Sequence, residues 1–239
     1  MPRLCTVKVV REEDLRSQTG HDGHYFDLVD FSRVPAFLVG VDTPLCRFKE
    51  QLAEAFGIPV QSQRLWFFVQ RQNGTFRPCT PLAPNEEELS VGMESSEESN
   101  ACELHLFLEV LHPLRVRNMI SKDDILVFLK LYDPGQRQLR YVGTLFVKAS
   151  SKPSCILPKL RTLAGFHAYE EIELYEEIKF EPTLICERID INGTFTYNQI
   201  ENGDIICYQK TANSEDKYPN VELFFKHVLG QKVPVLSKT

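Results

Sequence analysis

Apolar and polar residues alternate over positions 4–10: Cys5, Val7 and Val9 fall on one side and Leu4, Thr6 and Lys8 on the other, the two-residue period of a strand. After a polar stretch to Gly23, a second strand is expected over 34–41. Thr43 then reads as a helix N-cap, with Pro44 at the first helical position, where a missing N–H costs nothing. Leu45, Phe48, Leu52 and Phe56 recur at helical spacing and predict one apolar face laid on a sheet. Gly57 suits the left-handed residue that ends such a helix. Strands over 64–70 and 102–110 close the pattern.

The same order then recurs. Strands are expected over 125–132 and 141–148, on either side of the turn signal Asp133-Pro134-Gly135. Ser154 is placed to cap a helix carrying Ile156, Leu157, Leu160 and Leu163, which Gly165 ends. A strand over 172–176 puts Tyr175 where the first unit has Trp66, and a tight turn near 196–199 leads to a strand over 204–209. An amphipathic helix follows over 218–228, with Val221, Phe224, Phe225 and Val228 on one face. The strand-like residues 232–236 go no further, so the chain is expected to be a fragment ending at the start of another domain. The pattern β-β-α-β-β is written twice, giving an α+β chain with a junction near 114–121.

Residues 71–101 interrupt the plan. Pro78, Pro81 and Pro84 precede six glutamates between Asn85 and Ser99 with no basic residue among them. That composition predicts a mobile segment, read either as a solvated insertion or as a tail for a basic partner.

Composition narrows the function classes. The net charge of −6 divides as −5 before Asn118 and −1 after it, with no Lys/Arg cluster to form a nucleic-acid groove. No apolar run approaches the length of a membrane span. The seven cysteines are scattered and odd in number, with no C-x-x-C pair, so reduced thiols in the cytoplasm or nucleus are expected. Asn73-Gly74-Thr75 and Asn192-Gly193-Thr194 match the glycosylation sequon and read better as Asn-Gly turns. Cys46 and Cys155 fall in the first turns of the two helices without a nearby His, which favours a role under the sheet over a nucleophile. His21-Asp22-Gly23-His24 lacks a third cluster for a metal and reads as a polar loop. No phosphate-binding or nucleophile motif is present, so no catalytic residue, metal or cofactor is expected.

Gly57-Ile58-Pro59, followed by Gln63-Arg64-Leu65-Trp66-Phe67, resembles the helix end, loop and strand of ubiquitin, and residues 103–110 look like its last strand. Two tandem ubiquitin-like β-grasp domains are thereby implied, at 1–114 (with the 71–101 insertion) and 121–212, followed by a short helix and the start of a further domain over 213–239. Longer runs are more specific. Tyr25-Phe26-Asp27-Leu28-Val29-Asp30, Phe128-Leu129-Lys130-Leu131-Tyr132-Asp133-Pro134 and Gly203-Asp204-Ile205-Ile206-Cys207-Tyr208-Gln209-Lys210 resemble the first two C-terminal ubiquitin-like domains of herpesvirus-associated ubiquitin-specific protease (HAUSP) types, the plant members above all.

The resemblance implies a non-catalytic part of a thiol-dependent deubiquitinase whose catalytic residues lie upstream. It implies docking of lysine-containing partner segments on an acidic turn before the last strand of the second domain. Here that turn is Asn198-Gln199-Ile200-Glu201-Asn202-Gly203-Asp204. Asp204 sits at a family acidic position and Glu201 adds a carboxylate, while Asn198, Gln199 and Asn202 are amides where animal members have acids. Lysine binding and a purely structural turn are both open readings. Trp66 stands where ubiquitin has an aliphatic residue at the centre of its recognition patch, and reads either as a partner anchor or as packing. Glu170, Glu171, Glu173, Glu176 and Glu177 would widen an acidic surface. A spacer between the catalytic domain and later ubiquitin-like domains is the competing function.

Overall fold

The structure, a computed structural model, describes residues 3–19, 27–93, 102–111, 120–212 and 216–232. The chain divides into two units, residues 1–15 with 29–120 and residues 16–28 with 121–239. Residues 16–28, read from the sequence as part of the first domain, group with the second.

In the first unit, β1 (Leu4–Val10) is followed by α1 (Glu12–Gln18), a helix that the polar stretch did not announce. Then come β2 (Ala36–Gly40), α2 (Leu45–Phe56), β3 (Gln63–Gln70), β4 (Phe76–Pro81) and β5 (Cys102–Val110). The strand order is β2-β1-β5-β3-β4, with β1 and β5 parallel at the centre and the other pairs antiparallel. First and last strands side by side, with a helix across the sheet, make a β-grasp unit. The alternation read from β1 holds: Cys5, Val7 and Val9 are fully buried beneath Leu45, Phe48 and Leu52 of α2. Gly57 ends α2 at φ 69°, where its N–H bonds Ala53 O and a side chain would be strained.

Two expectations fail at the start of α2. Thr43 is not the cap; Pro44 occupies that position and offers no side-chain acceptor. The orphan N–H groups of Leu45 and Cys46 instead donate to the carbonyls of Leu89 and Glu87, at 2.9 and 2.8 Å. Lys49 Nζ reaches Glu87 Oε1 at 2.7 Å, and Val91 is buried in the core. The acidic segment is therefore built into the unit as far as Met93, because it satisfies a helix end that its own sequence leaves open. Residues 94–101 lie outside the described residues.

The expectation of reduced thiols fails as well. Cys5 and Cys102 are register partners on β1 and β5, with Cα atoms 4.5 Å apart, and they form a disulfide; the other five cysteines are free. A sequence separation of 97 residues hides a contact that only the parallel pairing creates.

His105 on β5 lies 4.1 Å from the ring of Phe31 and 5.3 Å from that of Phe76, with Glu103 Oε1 at 3.2 Å. Burial lowers its pKa below the ordinary imidazole value, against the opposing pull of Glu103. The unfolded chain then takes up a proton more readily than the folded one. Stability is complete above the unfolded pKa of about 6.5 and falls as the pH drops below it. Urea unfolding followed by Trp66 between pH 7.5 and 5.5 should show that decline, and His105→Phe should flatten it. An unchanged slope in the variant would remove His105 as its source.

The second unit repeats the plan with β6 (Asp124–Asp133), β7 (Gln138–Lys148), a 3-10 turn (Pro153–Ile156), α3 (Leu157–Ala164), β8 (Ile172–Lys179), β9 (Ile185–Arg188), β10 (Ile205–Lys210) and α4 (Val221–Lys232). Its order is β7-β6-β10-β8-β9, again with first and last strands parallel at the centre. Ser154 lies within the 3-10 turn rather than capping α3, and Gly165 ends α3 at φ 71°. Each unit has one strand more than the repeated pattern predicted, since the short edge strands β4 and β9 carry little periodicity.

One face of the second sheet forms the core with Ile156, Leu160 and Phe195. On the other face, Tyr132 Oη donates to Tyr218 O and Val221 N donates to Gln209 Oε1, and the Tyr132 and Phe224 rings lie 5.0 Å apart, so α4 is held against the sheet. The same face carries a fully buried ion pair. Lys130 Nζ lies 2.7 Å from Glu177 Oε2 and also donates to Asp27 O at 2.8 Å. The Cys207 thiol lies 3.6 Å from the same Glu177 oxygen.

Candidate acidic docking turn

The segment from Asp190 to Asp204 runs from the end of β9 to β10 without regular structure, yet the side chains of Asp190, Thr194, Thr196, Asn198, Asn202 and Asp204 along it are all hydrogen-bonded. Phe195 N and Thr196 N donate to Ser151 O and Ala149 O, which ties the loop to the 3-10 side of the unit. Asn198 acts as a clamp. Its Oδ1 accepts from Asp190 N at 2.8 Å, and its Nδ2 donates to Asp190 O and Thr194 O. Gln199 adopts φ 58°, unusual for a residue with a Cβ, while Ile200 turns into the core and Gly203 takes φ 87°.

The six site residues read from the sequence do not share one role. Asp204 is buried at 3% exposure, and its Oδ2 accepts from Glu201 N at 2.7 Å. Asn202 Oδ1 accepts from Leu126 N at 2.8 Å, Gly203 N donates to Leu126 O and Phe128 N to Asp204 O. Residues 202–204 thus stitch the turn to β6. Glu201 and Gln199 are exposed, and Glu201 uses only its backbone to hold the turn. The surface the turn offers is therefore Glu201 and Gln199, with Asp204 shaping it from below.

Trp66 is fully buried on β3, and its Nε1 donates to Glu109 Oε2 at 2.8 Å, so it presents no area to a partner. The wider acidic surface shrinks too: Glu177 is buried against Lys130, Glu173 pairs with Arg188 and Glu170 with Lys210. Sequence reasoning missed Tyr197, which is 70% exposed beside the clamp; an aromatic residue in an unpatterned loop carries no periodic signal.

Two of the free cysteines, Cys186 and Cys207, sit beside Glu177. Burial pushes the Cys186 and Cys207 thiols well up, with Glu177 adding to both, so neither is poised as a thiolate. Cys155 is exposed with Ser151 as its neighbour, and half-buried Cys46 faces Glu88, which corrects the expectation that both lie under the sheet. Among the described residues no group of three or more His, Cys, Asp or Glu side chains is placed to hold a metal, and no helix is long and apolar enough to cross a membrane. The His21–His24 cluster lies outside the described residues.

Residues 63–236 match the family described as the ICP0-binding domain of ubiquitin-specific protease 7. The chain belongs to this family. Ubiquitin C-terminal hydrolase 13 of Arabidopsis thaliana is 48% identical over 96% of this chain, and ubiquitin C-terminal hydrolase 12 of the same plant 49% over 95%. Ubiquitin carboxyl-terminal hydrolase 5 of Schizosaccharomyces pombe is 28% identical over 78%. The chain spans 21% of the length of each plant hydrolase and 17% of the yeast one.

Proposed function

We propose that this chain is a non-catalytic docking module of a ubiquitin carboxyl-terminal hydrolase, and that it recruits proteins through basic, lysine-bearing segments. The observation that carries this reading is the family match to an ICP0-binding domain over most of the chain. The exposed Glu201 on a turn fully braced by its own hydrogen bonds supports the location. In this reading Glu201 receives the cation and Gln199 flanks it. Asn198, Asn202 and Asp204 hold the turn, and Trp66 is part of the fold. Cleavage of ubiquitin conjugates belongs to the parent protein, through a thiol nucleophile outside this chain.

Calorimetric titration of a short lysine-rich peptide tests the proposal. Glu201→Lys reverses the surface charge while leaving the Glu201 N–H that Asp204 needs. It should weaken binding by about 1–2 kcal/mol, the range of a charge-assisted contact that stays partly solvated, and added salt should weaken the wild type. An Asp204 variant would confuse loss of contact with loss of the turn. Absence of binding by the wild type would favour a spacer role instead.

A further inference from the structure

The Tyr197 ring is held before any partner arrives. A Cβ built on Gly193 would fall 2.4 Å from Tyr197 Cδ1 and 3.1 Å from its Cγ and Cε1, so one face of the ring rests on the glycine. Gly193 is not among the positive-φ glycines, so room for the ring, and not a left-handed backbone, is what requires glycine there. The backbone beneath is fixed as well: Tyr197 N donates to Thr194 Oγ1, Asn198 N to Thr194 O and Gln199 N to Thr196 O. The other face of the ring is open, with 70% of the residue exposed. The loop that carries it is acidic: residues 189–209 contain Asp190, Glu201 and the buried Asp204 and no Lys, Arg or His, while Lys148 and Lys152 lie on the segment to which Phe195 and Thr196 are bonded.

A flat, pre-ordered aromatic face on an acidic loop suits a planar cation. Guanidinium stacks on such a face and is weakly hydrated, whereas an ammonium gives up more hydration to do so. A ring already seated loses little rotamer freedom when it is covered. We propose that Tyr197 is a second, specificity-determining contact of the docking turn: among the basic segments that Glu201 receives, it selects those that also place an arginine on its open face. This rests on the docking reading given above and adds the identity of the favoured cation.

The test uses two short basic peptides identical except for arginine in place of every lysine, titrated into the full chain. The arginine peptide should bind about two- to five-fold more tightly. The preference should vanish in Tyr197→Ala, survive in Tyr197→Phe, and vanish in Gly193→Ala, where the ring is kept but lifted from its seat. Glu201→Lys should weaken both peptides alike. Equal wild-type affinities, or a preference that persists in Tyr197→Ala, would overturn this inference while sensitivity to Glu201→Lys leaves the docking reading standing. Failure of both peptides to bind would overturn both. Tyr197 is a surface residue, so its variants keep the fold, which circular dichroism verifies.

Discussion

Replacing Lys130 with Met should destabilise the second unit by about 3–5 kcal/mol, the cost of leaving a buried carboxylate without its counter-ion. Lys130 and Glu177 have no exposed side-chain area and meet at 2.7 Å. The substitution also takes the donor from Asp27 O, which loses one of its ties to β6. The double variant Lys130→Met/Glu177→Leu should recover most of the loss, because an apolar pair carries no desolvation cost. Denaturant unfolding monitored by hydrogen exchange in β6, β8 and β10 supplies the readout, and the four stabilities form a double-mutant cycle. A single variant as stable as the wild type would show that the pair is not buried. A double variant as poor as the single would show that Lys130 acts through packing alone.

Reduction of the Cys5–Cys102 disulfide is expected to cost the first unit about 4–5 kcal/mol. Loop-closure entropy sets the scale: a loop near 100 residues returns about 4.7 kcal/mol of freedom to the unfolded chain when opened, and this one spans 97. Both residues are buried between the two central strands, so the staple joins the first strand to the last. Trp66 is the sole tryptophan and lies in the same unit, and its fluorescence isolates that unit's transition. The midpoint should fall on adding a phosphine reductant, and Cys102→Ala should reproduce the fall without it. Alkylation in denaturant before reduction should label five of the seven cysteines. Labelling of all seven would remove the staple and this prediction with it.

Much of the proposed docking turn was legible in one dimension. Its place before the last strand follows from the strand pattern, while the acidic and amide positions of residues 198–204 gained meaning only from the family resemblance. Which side chains face outward cannot. Asp204 and Glu201 are both carboxylates three positions apart, and only the Glu201 N–H bond and the pairing of residues 202–204 with β6 turn one inward and leave the other in water. Tyr197 gives no sequence signal, because the seating of its ring on Gly193 is made by loop geometry.

The sequence by itself determined the repeated β-β-α-β-β order, the apolar faces of β1 and α2 and the glycine stops at Gly57 and Gly165, because strand and helix periods and left-handed residues are local properties of the chain. Tertiary structure alone decided four things: the Cys5–Cys102 bond, the capping of α2 by residues 87–89, the burial of Trp66 and the Lys130–Glu177 pair. Each joins residues tens of positions apart or depends on what covers a strand face. Burial and partnership at that range follow from which strands become neighbours, and no local pattern encodes that.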